Sequence, residues 1–159
     1  MADWPEEGSK APAFTLLADS GQKVKLSDLR GKYVVLYFYP KDDTPGCTKE
    51  ACAFRDATSA LAAQGAVVLG VSTDNLKSHE KFRDKYSLNF PLLCDTDHAV
   101  AEKYGAWREK NMYGKVSMGV QRSTFLIGPE GKLLKVWKRV NVAGHDASVL
   151  ESLHAAQQA

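Results

Sequence analysis

A chain of 159 residues with 44% hydrophobic side chains can bury a core without metal or disulfide staples, and is expected to form one domain over residues 1–159. Its 21 Lys and Arg against 19 Asp and Glu leave a formal charge of +2, with no basic block or interleaved aromatics, which argues against nucleic acid or a membrane surface as partner. No apolar run approaches the roughly 20 residues of a membrane-crossing helix, and the acidic start Met1-Ala-Asp-Trp-Pro-Glu-Glu-Gly8 has no apolar signal segment, so a soluble, cytoplasmic protein is expected.

In chain order, Phe14–Leu17 and Val24–Leu26 flank Asp19-Ser-Gly21-Gln and read as a short hairpin, a lid or sheet edge. Tyr33–Tyr39 is a nearly continuous β-branched and aromatic run, the pattern of a strand covered on both faces. From Thr48 to Gln64, Ala51, Phe54, Ala57 and Leu61 recur at helical spacing, and Gly65 suits the helix end. Cys47 opens that helix. Ala66–Ser72 is a second buried strand, and Asp74 or Asn75 can cap a helix carrying Phe82 and Tyr86. Phe90–Cys94 is a short strand, Asp97 is expected to cap a helix ending at Gly105, and residues 106–115 read as an exposed loop. Arg122–Ile127 and Lys132–Arg139 form a hairpin around Pro129-Glu-Gly131, and 147–156 a final helix. The order implies an α/β, thioredoxin-like fold: a central mixed β-sheet with helices on both faces and an N-terminal β-hairpin extension.

Three cysteines are too few for a disulfide scaffold, and in a reducing compartment such thiols are catalytic, redox-active or simply buried. Cys47 lies where a buried strand hands over to a helix. The N–H groups of a helix's first turn have no internal partners and carry partial positive charge, so they favour a thiolate there. Cys52 is five residues on, about 140° around the axis and about 7.5 Å along it, which separates the two Cα atoms by roughly 8 to 9 Å. A disulfide tolerates about 7 Å. A Cys47–Cys52 bond therefore requires the first helical turns to unwind, giving a molecule folded when reduced and locally unfolded when oxidised. The spacing is a weaker fit to simple Cys-x-x-Cys dithiol exchange, and no second cysteine or histidine pair completes a zinc site.

Pro40-x-x-x-Thr44-x-x-Cys47 resembles the active-site signature of the peroxiredoxins, and Gly46-Cys47-Thr48-x-Glu50-Ala51-Cys52 is similar to their Q branch, also called bacterioferritin comigratory protein. The resemblance extends from Gly8-x-x-Ala11-Pro12-x-Phe14 to Gly119-Val-Gln-Arg122-Ser-Thr-Phe125-Leu-Ile127 and Gly128-Pro-Glu-Gly131. It implies a thiol peroxidase in which the Cys47 thiolate is oxidised to a sulfenic acid by hydrogen peroxide or an organic hydroperoxide, Cys52 condenses with it, and thioredoxin or a similar dithiol reduces the disulfide. It also implies a monomer, and no metal or organic cofactor is required. Pro40 would shield the thiolate from water, Thr44 would hold the peroxide oxygens in line, and Arg122 would bring a permanent cation from a distant strand. The other classes left open are a thiol-disulfide oxidoreductase on the same fold and a non-catalytic redox sensor or chaperone-like module.

The remaining candidates are read more plainly. Cys94 is taken as a buried, inert thiol, with an alternative resolving role as the competing reading. His79, His98, His145 and His154 lack ligand or triad spacing and are read as surface or helix-face residues, none a candidate base. Asp42 and Asp43 are expected to face solvent, since inward carboxylates would disfavour a nearby thiolate. Trp107, Met112 and Met118 are read as packing residues, with an apolar wall of a substrate or thioredoxin-docking surface as the competing reading.

Overall fold

The computed structural model describes residues 3–158, and the strands and helices are set by where apolar side chains alternate or recur. Seven strands form one sheet in the order β2(Lys23–Lys25), β1(Thr15–Ala18), β5(Leu92–Cys94), β4(Ala66–Ser72), β3(Tyr33–Phe38), β8(Ser123–Ile127) and β9(Leu133–Trp137). β3, β4 and β5 are parallel, while β1, β8 and β9 join antiparallel, so the sheet is mixed. The N-terminal hairpin is its edge, attached through Leu17 opposite Cys94.

β3 sits between β4 and β8 and is buried along nearly its whole length, as its unbroken apolar run requires. Its residues alternate between two cores. Val34, Leu36 and Phe38 face one side with Leu69, Phe125 and the helix α3(Ala99–Lys103), which contributes Val100 and Ala101. Val35, Tyr37 and Tyr39 face the other with α1(Pro45–Ala63), α2(Leu76–Tyr86) and α4(His145–Gln158), through Ala51, Phe54, Phe82, Val149 and Leu153. Helices therefore cover both faces of the sheet, the arrangement of a thioredoxin-like fold.

Five expectations need correction. Residues 106–115 are not a loop: β6(Trp107–Met112) and β7(Lys115–Val120) form a separate two-stranded ribbon, Trp107 opposite Val120 and Met112 opposite Lys115. Much of the ribbon is open to solvent, so neither strand shows apolar alternation, and its turn uses Tyr113 and Gly114 at φ +54° and +78° in place of the usual Asn-Gly signal. Met112 and Met118 are exposed, while Trp107 packs against the core and stacks flat on His98 at 3.9 Å. The start of α3 is held mainly by Asp95, whose carboxylate accepts from Val100 N and Ala101 N, with Asp97 taking only Ala99 N.

Asp42 is buried, against the expectation that it faces solvent, because three side-chain donors converge on its carboxylate: Tyr39 Oη, Ser78 Oγ and His79. Asp43 does face solvent, bonded to Lys85 and Tyr86 Oη. His79 and His145 are buried, because each finds a partner inside, Asp42 for one and Thr124 Oγ1 for the other. Burial drives the His145 imidazole down to about 4, so it is neutral at physiological pH.

Candidate active site

The turn after β3 delivers Pro40 and then residues 41–44, and α1 begins at once with Pro45 at its first position, where a missing N–H costs nothing. Thr44 occupies the N-cap position, and its carbonyl accepts the first helical bond from Thr48 N at 2.8 Å. Its hydroxyl makes no side-chain cap. The hydroxyl donates instead to Lys41 O at 2.9 Å, which leaves the oxygen lone pairs as acceptors and the first-turn N–H groups without a capping side chain. Cys47 stands in that first turn, 1% exposed, with its thiol in the core face beside Ala51 and Phe54.

Arg122 stands just before β8, the strand that pairs with β3, and its side chain reaches Cys47. Nη2 donates to Cys47 Sγ at 3.3 Å and Nη1 to Glu50 Oε1 at 2.7 Å, so one planar guanidinium ties together two positions one helical turn apart. Gly46 permits the approach: a Cβ there would stand 3.0 Å from Nη2 and push the guanidinium aside. Glu50 is 1% exposed, and burial raises its carboxyl to about 7 even though the charge and hydrogen bond of Arg122 pull it down. Its second oxygen, Oε2, and the nearby buried hydroxyl of Tyr37 have no hydrogen-bond partner among the described residues.

The structure thus brings Arg122 to Cys47, with Thr44 three residues before Cys47 at the N-cap of the same helix and Pro40 half-buried at the turn before it. It does not bring Cys52. That residue is half-buried on the same unbroken helix, and Cys47, Cys52 and Cys94 are all free thiols. The Arg55 guanidinium, one turn beyond Cys52, is held charged chiefly by Asp56, with Cys52 adding a smaller favourable interaction. Cys94 lies on β5, buried, with its thiol pushed up to about 11 by burial first and then by Asp42, Asp19 and Asp74. Such a thiol is a poor nucleophile at neutral pH. Glu50 is the site residue that motif reading passed over. Its spacing of three from Cys47 puts both on one helix face, and a carboxylate on an apolar face needs a partner.

The AhpC/TSA family model matches residues 8–136, and the putative peroxiredoxin Bcp of Coxiella burnetii is 55% identical over 148 residues, 93% of this chain and 98% of that one. The chain belongs to the peroxiredoxins. Within them it falls in the Bcp or Q branch: peroxiredoxin Bcp of Bacillus subtilis is 52% identical, covering 93% of this chain and 94% of that one. The structure of peroxiredoxin Q from Xylella fastidiosa, solved as a cysteine-to-serine mutant, superposes with a TM-score of 0.93 at 36% identity, covering 98% and 99% of the two chains. That of Xanthomonas campestris peroxiredoxin Q gives 0.86 at 44% identity, covering 89% and 90%. A peroxiredoxin is a thiol-dependent peroxidase, with a peroxide as oxidant and a thiol as reductant. No described helix of this one is long and apolar enough to cross a membrane.

Proposed function

We propose that this peroxiredoxin reduces hydrogen peroxide and organic hydroperoxides through Cys47 as the peroxidatic thiolate and Cys52 as the resolving thiol. The observation that carries the reading is the Arg122 guanidinium, 3.3 Å from Cys47 Sγ and anchored 2.7 Å from Glu50. The thiolate attacks the terminal oxygen of the hydroperoxide, the O–O bond breaks, and the electron pair leaves on the distal oxygen, which takes a proton and departs as water or alcohol. Sulfur is oxidised to a sulfenic acid. Arg122 stands where negative charge is lost from sulfur and gained on the leaving oxygen, so one fixed cation serves both ends of the displacement. The Thr44 hydroxyl, its proton committed to Lys41 O, offers lone pairs that accept from the peroxide's own O–H and align it for attack. Pro40, half-buried beside the site, limits water at the thiolate.

Resolution follows from helix geometry. With both thiols on intact α1, their separation of roughly 8 to 9 Å forbids a bond, so the first turns unwind before the Cys52 thiolate displaces hydroxide from the sulfenic sulfur and water leaves. A thioredoxin-type dithiol then reduces the disulfide by exchange, becoming a disulfide itself, and the helix re-forms. Support for an organic peroxide as substrate comes from the Xanthomonas campestris bacterioferritin comigratory protein, 43% identical, which is described as having alkyl peroxide reduction activity. We read the protein as monomeric and cytoplasmic, a single domain reduced by thioredoxin.

The test is turnover by variants. Cys47→Ser should consume no peroxide, and Cys52→Ser should complete one stoichiometric oxidation and then stall without an external thiol. Normal turnover by Cys47→Ser would end the assignment.

A further inference from the structure

Beyond Cys47, Arg122 and Glu50, a second buried polar cluster joins the catalytic turn to the rest of the fold, and the proposed peroxidase chemistry does not use it. Asp42 lies in the turn between Pro40 and Thr44. Its backbone N–H donates to Asp74 Oδ2 at 2.8 Å, Tyr39 Oη donates to its Oδ1 at 2.6 Å, and Ser78 Oγ and His79 Nδ1 reach its Oδ2 at 2.8 and 2.7 Å. Three elements therefore hold one residue: the end of β3, the segment after β4, and the start of α2. The next residue, Asp43, has φ +58°, a conformation that side chains other than glycine seldom adopt and that persists only when the surroundings enforce it. Thr44 follows immediately.

The cluster is a hydrogen-bond network, not a cation site. Asp42, Asp74 and His79 have ligand atoms within 4.8 Å of one another, but the carboxylate oxygens concerned already receive N–H and O–H donors, which a cation would have to displace. His79 completes it from α2. Its Nε2 faces Leu93 O at 3.0 Å, a group that only accepts, so Nε2 carries hydrogen. Its Nδ1 faces a carboxylate oxygen, so a proton sits between these two atoms as well. The pair holds one proton more than a neutral imidazole beside a carboxylate.

We propose that His79 and Asp42 are positioning residues for the peroxidase reaction, acting through the Thr44 hydroxyl, and that loss of the imidazolium proton as pH rises loosens the turn and slows attack by Cys47. The inference rests on the reading of Thr44 given above. With the proton gone, the neutral imidazole has one N–H for two acceptors, Asp42 Oδ2 at 2.7 Å and Leu93 O at 3.0 Å, so the bond to Asp42 loses its charge assistance, α2 loses one of its two anchors, and the turn is held less firmly. Of the groups facing the pair, the Asp74 carboxylate, from the segment after β4, favours keeping the proton, while Tyr39 at the end of β3 and Ser78 on α2 donate to Asp42 and favour its bare carboxylate, and the Cys94 thiol on β5 is pushed up and un-ionised. Burial of the imidazole works against the charge, but its bond to Asp42 and the charges of Asp42 and Asp74 outweigh it, and the imidazole is held above its ordinary value.

The experiment is a double-mutant cycle with hydrogen peroxide as the probe, measuring kcat/KM from pH 6 to 10 for wild type, His79→Ala, His79→Asn, Thr44→Val and the two double variants. His79→Ala should lose between about 10- and 100-fold, the cost of a reacting group misplaced by about 1 Å. His79→Asn, which can still donate to Asp42, should lose less and should lose the alkaline limb of the pH profile. In the Thr44→Val background neither change should alter the rate by more than twofold. Imidazole 15N spectra of the wild type, which need no variant to fold, should show both His79 nitrogens protonated at pH 6 and losing one proton in step with the fall in rate as pH rises. Full additivity with Thr44→Val, unchanged kinetics in the His79 variants, or a neutral His79 at pH 6 would overturn the proposal. A silent Thr44→Val would instead overturn the assignment of Thr44 itself, and this proposal with it.

Discussion

Replacing Glu50 by Gln removes a carboxylate that the fold buries at a measurable electrostatic cost. Burial raises its carboxyl from 4.5 to about 7 despite the bond from Arg122 Nη1 at 2.7 Å, a difference worth about 3 kcal/mol. The sign follows from which state holds the proton more tightly. A folded-state value above the unfolded one means that the native protein binds the proton preferentially, so this contribution to stability is full below about pH 4.5, falls as pH rises, and is gone above about 7. Urea denaturation of wild type and Glu50→Gln, followed by tryptophan fluorescence at several pH values between 4.5 and 8, isolates the group by subtraction. The stability of wild type relative to the variant should fall by about 3 kcal/mol from the lowest to the highest pH. A difference independent of pH would refute the reasoning, because it would mean that Glu50 ionises as freely in the native protein as in the unfolded chain.

Other substitutions test the site from different sides. Arg122→Ala should lower the rate of peroxide attack by about 10²- to 10³-fold, the usual loss on removing a fixed donor from developing charge, and Arg122→Lys should recover only part of it because a point charge cannot bridge Cys47 and Glu50 together; stopped-flow single turnovers would show this, and a rate within fivefold of wild type for Arg122→Ala would contradict it. Tyr86 ties down both flanks of the segment that carries Cys47 and Cys52, its hydroxyl bonding Asp43 at 2.9 Å and its carbonyl accepting from Arg55 at 2.7 Å. Tyr86→Phe should therefore raise hydrogen exchange across residues 44–54 and accelerate disulfide formation severalfold, with identical exchange as the contrary result. Cys94→Ser should leave peroxidase turnover within twofold of wild type, and at pH 8 iodoacetamide should label Cys94 far more slowly than the half-buried Cys52, since the Cys94 thiol is buried and pushed up to about 11.

The strand and helix frame was largely readable because it rests on burial. Tyr33–Phe38 is apolar throughout because β3 is covered on both faces, and Ala51, Phe54 and Leu61 recur because α1 lies on the sheet. The β6–β7 ribbon was not readable, since Arg108, Glu109, Lys110 and Asn111 carry no apolar period and the Tyr113-Gly114 turn carries only half of the usual sequence signal. At the site, Cys47 and Arg122 were legible from the motif and the structure supplies the contact between them. Glu50 and Asp42 were harder, for a shared reason. A carboxylate is assumed to face water until its partners are known, and here the partners, Arg122 for one and His79 for the other, come from positions 72 and 37 residues away. Such pairings depend on how β8 and α2 pack against β3 and α1, which no local pattern encodes.

The most direct test of the Cys47–Cys52 cycle is disulfide mapping of the fully reduced protein after one equivalent of hydrogen peroxide, by intact mass and proteolytic peptides. The expected product has lost two hydrogens and carries Cys47 joined to Cys52, two residues that an intact α1 keeps apart. A bond from Cys47 to Cys94, or a stable sulfenic acid with both other thiols still free, would contradict it.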